Sequence, residues 1–158
     1  MKYDLASSNE ELGIAGVSVV PVLSSVLERM IEQSRDYAGS QSQSLLSKFQ
    51  SSSVPGISVL DYLQRVSSFA KCSDSCFIVA LVYLDRLIET RRVALTVLNV
   101  HRLLITAVLL AAKMFEDEYF NNSFYARLGG VSVAELNALE LELIKLIGFS
   151  THVDVATF

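Results

Sequence analysis

Residues 96–116, TVLNVHRLLITAVLLAAKMFE, decide how this chain folds. On a helical wheel, Val100, Leu103, Leu104, Ile105, Ala107, Val108, Leu110, Ala111 and Phe115 cover nearly the whole circumference. A helix apolar all round belongs at the centre of a fold, with other elements packed on every side. One narrow stripe interrupts it. Arg102, Thr106 and Lys113 fall within about 40° of one another, with Leu109 beside them. The spacing allows two readings of that stripe: a face turned to water, or an apolar floor carrying cations toward a partner.

Punctuation on either side divides the chain into further helices. Ser58 followed by Asp61 opens one through about Phe69, and Ser73 or Asp74 caps the next, to about Glu89. Ser132 followed by Glu135 is a capping box for a last helix ending near Gly148. Asn122–Leu128 forms a short helix closed by Gly129-Gly130, which suit a left-handed C-cap. With the central helix this makes five in the second half of the chain, joined by short loops. One more precedes them, with Pro21 in its first turn and Leu23, Val26, Leu27, Met30 and Ile31 on one face. Between them, GSQSQSLLSKFQSSS holds seven serines, which compete for backbone hydrogen bonds and disfavour a helix. It reads as a flexible connector, pinned at most by Leu45, Leu46 and Phe49, with serine phosphorylation as the functional alternative.

Composition agrees with an all-α fold. Gly and Pro together number 7 + 2 = 9 of 158 residues, too few for a turn-dense β fold or a disordered chain. The length favours one domain. The hydrophobic share is 51%, but Cys76–Leu84 and Leu103–Ala112 are about half of the roughly 20 residues a membrane span needs. The apolar run Leu12–Leu23 lacks the basic flank of a signal peptide, so an intracellular protein of nucleus and/or cytoplasm is expected. A net charge of −4 without a basic cluster argues against nucleic acid. Arg91-Arg92 reads as a solvated loop, and Glu116-Asp117-Glu118 as a helix end and solvated loop. Cys72 and Cys76 read as core thiols, with no disulfide framework, metal site or cofactor expected. His101 reads as a satisfied core residue. Hydrolase, zinc-protease, P-loop and dinucleotide motifs are all missing, so an enzyme is poorly supported.

The last helix carries the sharper signal. Leu136, Leu139, Leu143, Ile144, Leu146 and Ile147 make an apolar arc of roughly 160°, and Glu140 falls inside it. An unpaired buried carboxylate costs several kcal/mol. Glu140 therefore needs an internal partner, Lys113 or Arg102, or must meet another chain. Glu135, Glu142 and Lys145 lie off the arc and read as ordinary surface.

These residues resemble the cyclin box, most closely that of the P-type and U-type cyclins, relatives of the yeast phosphate-pathway cyclins. The likeness is carried by CSxxCF (72–77), YxDRL (83–87), NVHRLLIT (99–106), AAKxFED (111–117) and NNxFYAxLGG (121–130). VVPVLSSVLERMIEQSRD (19–36) also resembles the helix preceding the box in that group. The resemblance implies a single five-helix cyclin box with an additional N-terminal helix. The chain then divides into a flexible N-terminus (1–18), N-terminal helix (19–38), Ser-rich linker (39–54), cyclin box (55–150) and a C-terminal tail (151–158) that looks cut short.

It also implies a regulatory subunit that binds and activates a cyclin-dependent kinase and performs no chemistry itself. The family's kinase-binding Lys falls on Lys113 and its Glu on Glu140, with apolar contacts on Leu110, Met114, Ile144 and Phe149. Arg102 and Thr106 would extend that partner face. Val54-Pro55-Gly56-Ile57-Ser58 departs from the family's substrate-docking pattern on the first box helix, so that mode is not implied. A cyclin-fold scaffold that binds a partner without kinase activation is the alternative. The kinase, its substrates and the choice between phosphate signalling and the cell cycle stay open.

Overall fold

The computed structural model describes residues 19–154. The expected flexible N-terminus, 1–18, and the end of the tail lie outside the described residues. Seven α-helices and two short 3-10 turns occur among the described residues, with no strand. They are α1 (Val20–Gln33), α2 (Ser40–Leu45), α3 (Val59–Phe69), α4 (Asp74–Arg91), α5 (Val100–Phe115), α6 (Asn122–Gly129) and α7 (Val133–Leu146). The fold is all-α, and no described helix is long and apolar enough to cross a membrane.

Local chemistry sets these boundaries. Ser58, Ser73, Asn121 and Ser132 each accept the backbone N–H three residues on, satisfying a donor that has no intrahelical partner. Pro21 occupies the first turn of α1. Gly130 closes α6 in the left-handed region at φ 77°. The central helix starts four residues later than its polarity pattern predicts. Asn99 takes the Thr96 N–H on Oδ1 at 2.9 Å and donates Nδ2 to the Ala94 carbonyl at 3.1 Å, folding 96–99 into a turn.

Helix α5 is the axis. Every residue from Leu103 to Ala112 is buried, with α4 as its main partner and α7, α6 and α3 around the rest. Thr106 and Leu109 are thus not part of any outer stripe: both are fully buried, and Thr106 Oγ1 donates to the Arg102 carbonyl at 2.6 Å. That hydrogen bond explains how a polar residue tolerates the centre of the core. Gly129 allows the close approach of α6, since a Cβ there would stand 2.6 Å from Ile105 Cγ1.

The serine-rich segment corrects the expectation of a flexible, non-helical connector. Residues 40–45 form α2, and Leu46 and Phe49 are buried in the common core. One of its serines, Ser42, serves a neighbouring loop. Ser42 Oγ accepts the Ala94 N–H, and Ser34, outside the segment at the end of α1, accepts the Leu95 N–H, both at 2.9 Å and both buried. Two surface readings also change. Arg91 ends α4, and its Nε donates to the Leu146 carbonyl at 2.8 Å, satisfying the C-terminus of α7. Glu116 Oε1 accepts the N–H and the hydroxyl of Ser73 at 2.9 and 2.7 Å, joining the end of α5 to the start of α4.

Cys72 and Cys76 are buried thiols that form no disulfide. Hydrogen bonding to Cys72, followed by burial, raises the Cys76 thiol far above its ordinary range, which leaves it protonated and unreactive. Of the tail, Thr151 accepts the Tyr83 hydroxyl at 2.7 Å and Val153 is buried, so its first residues dock on the bundle.

Candidate functional site

The two charges that interrupt apolar helix faces meet. Lys113, in the last turn of α5, reaches Glu140 on α7: Nζ donates to Oε1 at 3.0 Å and lies 2.8 Å from Oε2. A cation there also suits the negative end of the α5 dipole. The side chains are 27% and 17% exposed, so the pair lies at the rim of the core. Glu140 Oε2 is buried and, although close to the ammonium, accepts no aligned hydrogen bond. The ammonium thus stands within 3.0 Å of both carboxylate oxygens, and Glu140 keeps part of its side chain in solvent.

Apolar groups stand around the rim. Met114 is 51% exposed and Phe149 is 68% exposed, while Ile144 is half-buried. Phe149 adopts φ 60°, uncommon for a bulky residue, with its N–H on the Ile144 carbonyl at 2.9 Å. That left-handed turn after α7 presents the ring to solvent. Leu110 differs from expectation. At 1% exposure it belongs to the core and supports the face from behind instead of contacting a partner. Thr106, fully buried, is likewise no part of a partner face. Arg102 is bound to Glu135 at 2.6 Å, and Lys48 to Glu142 at 3.2 Å, so neither glutamate is plain surface.

Sequence reasoning missed Phe115 and Leu141. Phe115 was expected in the core of α5 but is 42% exposed just beyond Lys113. Leu141, next to Glu140, is also exposed. An apolar residue on the polar side of an amphipathic helix was the available signal for Leu141. The chemistry present is an ion pair with an apolar border.

The cyclin family profile matches residues 17–151, most of the chain. The chain belongs to the cyclin family. Cyclin-U3-1 of Arabidopsis thaliana is 45% identical over 144 residues, covering 89% of this chain and 64% of that protein. Cyclin-P3-1 of Oryza sativa subsp. japonica is 40% identical over 141 residues, covering 89% and 60%. Cyclin-P4-1 of the same plant is 43% identical over 154 residues, covering 94% and 72%. The chain thus spans less than two thirds of the first two of these cyclins. The match takes in α1 and the serine-rich segment as well as the five helices α3–α7 of the box.

Proposed function

We propose that this cyclin is the regulatory subunit of a cyclin-dependent serine/threonine kinase and activates it by docking through Lys113 and Glu140. One observation carries the reading: the Lys113–Glu140 ion pair stands partly exposed at the rim of the core, next to exposed Met114. A carboxylate already paired and partly desolvated loses less hydration on binding than a free one and can still accept a partner N–H. The apolar border supplies area, while the charges fix register.

Activation then requires no catalytic group on the cyclin. Holding the kinase's regulatory helix inward lets the kinase's own Lys–Glu pair form and completes its phosphoryl-transfer site. The cyclin stabilises that conformer by binding it better than the alternative. The protein would act in the nucleus, the cytoplasm or both.

The test is a pull-down from cell extract followed by a histone-type kinase assay. A co-purifying kinase whose activity rises on adding the cyclin supports the proposal. A kinase that is captured but not stimulated contradicts it and leaves a scaffold.

A further inference from the structure

On the side of the box formed by α3 and the start of α5, a cleft of about 320 Å³ is lined by Ser51, Ser52, Ser53, Arg65, His101 and Arg102. Three consecutive hydroxyls and two guanidiniums share one cleft. Arg102 is already neutralised by Glu135 at 2.6 Å. Among the described residues Arg65 forms no ion pair; its guanidinium lies 5.3 Å from the centroid of the Tyr62 ring. His101 donates Nε2–H to the Ile57 carbonyl at 2.9 Å, which leaves Nδ1 as a bare acceptor, buried and without a partner. The cleft therefore has an uncompensated positive charge at Arg65, with Glu135 as the nearby opposing carboxylate.

The serine strap is held across this cleft before any modification. Ser51 N–H donates to the Leu98 carbonyl at 2.8 Å, Arg102 Nη1 approaches the Gln50 carbonyl at 3.4 Å, and the His101 bond fixes Ile57. Ser52 and Ser53, between these anchors, are exposed. We propose that Ser52 or Ser53 is a phosphorylation site whose phosphoryl group is held in cis in this cleft, with Arg65 as its main cation. In the modifying step the serine Oγ bonds to the γ-phosphorus of a nucleoside triphosphate supplied by a serine kinase. The bond to the β-phosphate oxygen breaks, the nucleoside diphosphate leaves, and the hydroxyl proton passes to the kinase's base. The dianion then pairs with Arg65. Because the strap is already anchored, little ordering entropy opposes the contact. The phosphorylated strap fills the cleft and ties residues 51–57 to α3.

The experiment installs phosphoserine at position 52 or 53 of the full chain, in separate samples, and follows its second ionisation by phosphorus NMR. In at least one sample it should fall below the ordinary value of about 6, by roughly half a pH unit or more, relative to the same chain in urea. Arg65→Gln, at an exposed position, should abolish the fall while the helical circular dichroism persists. Two unshifted phosphoserines, or a fall that survives Arg65→Gln, would overturn the proposal. The unmodified protein with millimolar inorganic phosphate is the third arm. Arg65-dependent binding of free phosphate, with neither phosphoserine shifted, would mean the cleft takes its anion from elsewhere and would sink the cis reading.

Discussion

Glu116 and Ser73 form the tie between the two largest helices: one carboxylate oxygen accepts both the backbone N–H and the hydroxyl of the serine, at 2.9 and 2.7 Å. The same hydroxyl accepts the Cys76 N–H, so the α4 cap and the α5 terminus are one network. Lys113 lies one turn before Glu116, and the tie fixes its height. Glu116→Ala removes the acceptor and should cost about 1.5–3 kcal/mol, measured by denaturant unfolding. A loss below about 0.5 kcal/mol would show that solvent replaces the carboxylate freely.

Ser42 makes a similar prediction for the serine-rich segment. Its Oγ is the acceptor for a buried N–H of Ala94. Ser42→Ala orphans that donor and should destabilise by about 1–3 kcal/mol. Ser44→Ala, at an exposed position of the same helix, should change stability by less than about 0.5 kcal/mol. Equal effects would return the segment to the status of a loose connector.

The Gly129 contact tests the packing of α6. Adding one methyl against Ile105 should cost about 1–3 kcal/mol in Gly129→Ala. Combining it with Ile105→Ala should cost less than the sum of the two single losses, since Cγ1 and Cγ2, which meet the new methyl, are then gone. Additive losses in the double variant would contradict the steric reading.

His101 gives a pH signature. Burial, opposed by the Ile57 hydrogen bond and reinforced by Arg65, lowers its folded-state value below the ordinary 6.5. The unfolded chain then binds the proton more readily, so stability is complete above about pH 6.5 and falls as pH drops through that value. Thermal melts between pH 7.5 and 5.5 should show this slope, and His101→Gln should flatten it. The groups facing the ring are Tyr62, Arg65 and the Ile57 carbonyl, none of which titrates in this window.

Much of the fold was legible because its signals are local. The caps at Ser58, Ser73 and Ser132 need only the serine and the residues after it, and the αL closure at Gly130 needs only the glycine pair. Lys113 and Glu140 were legible because a charge within an apolar arc must be paired or presented. Thr106 and Leu110 were misplaced because a wheel reports polarity by angle but not which neighbour covers each angle. Ser42, Arg91 and Glu116 serve the loop before α5, the end of α7 and the start of α4. No period in the sequence encodes such long-range acceptors.

The central claim is that Lys113 and Glu140 serve a partner as well as each other. Lys113→Glu and Glu140→Lys singly place like charges together and should lower both stability and kinase binding. The double charge swap restores the internal pair, so its unfolding free energy should return close to that of the parent protein. Its affinity for the kinase, measured by calorimetry, should nevertheless remain weaker by at least about thirty-fold, because each charge now faces the wrong partner group. Recovery of full affinity along with stability would show the pair to be structural and would contradict the account.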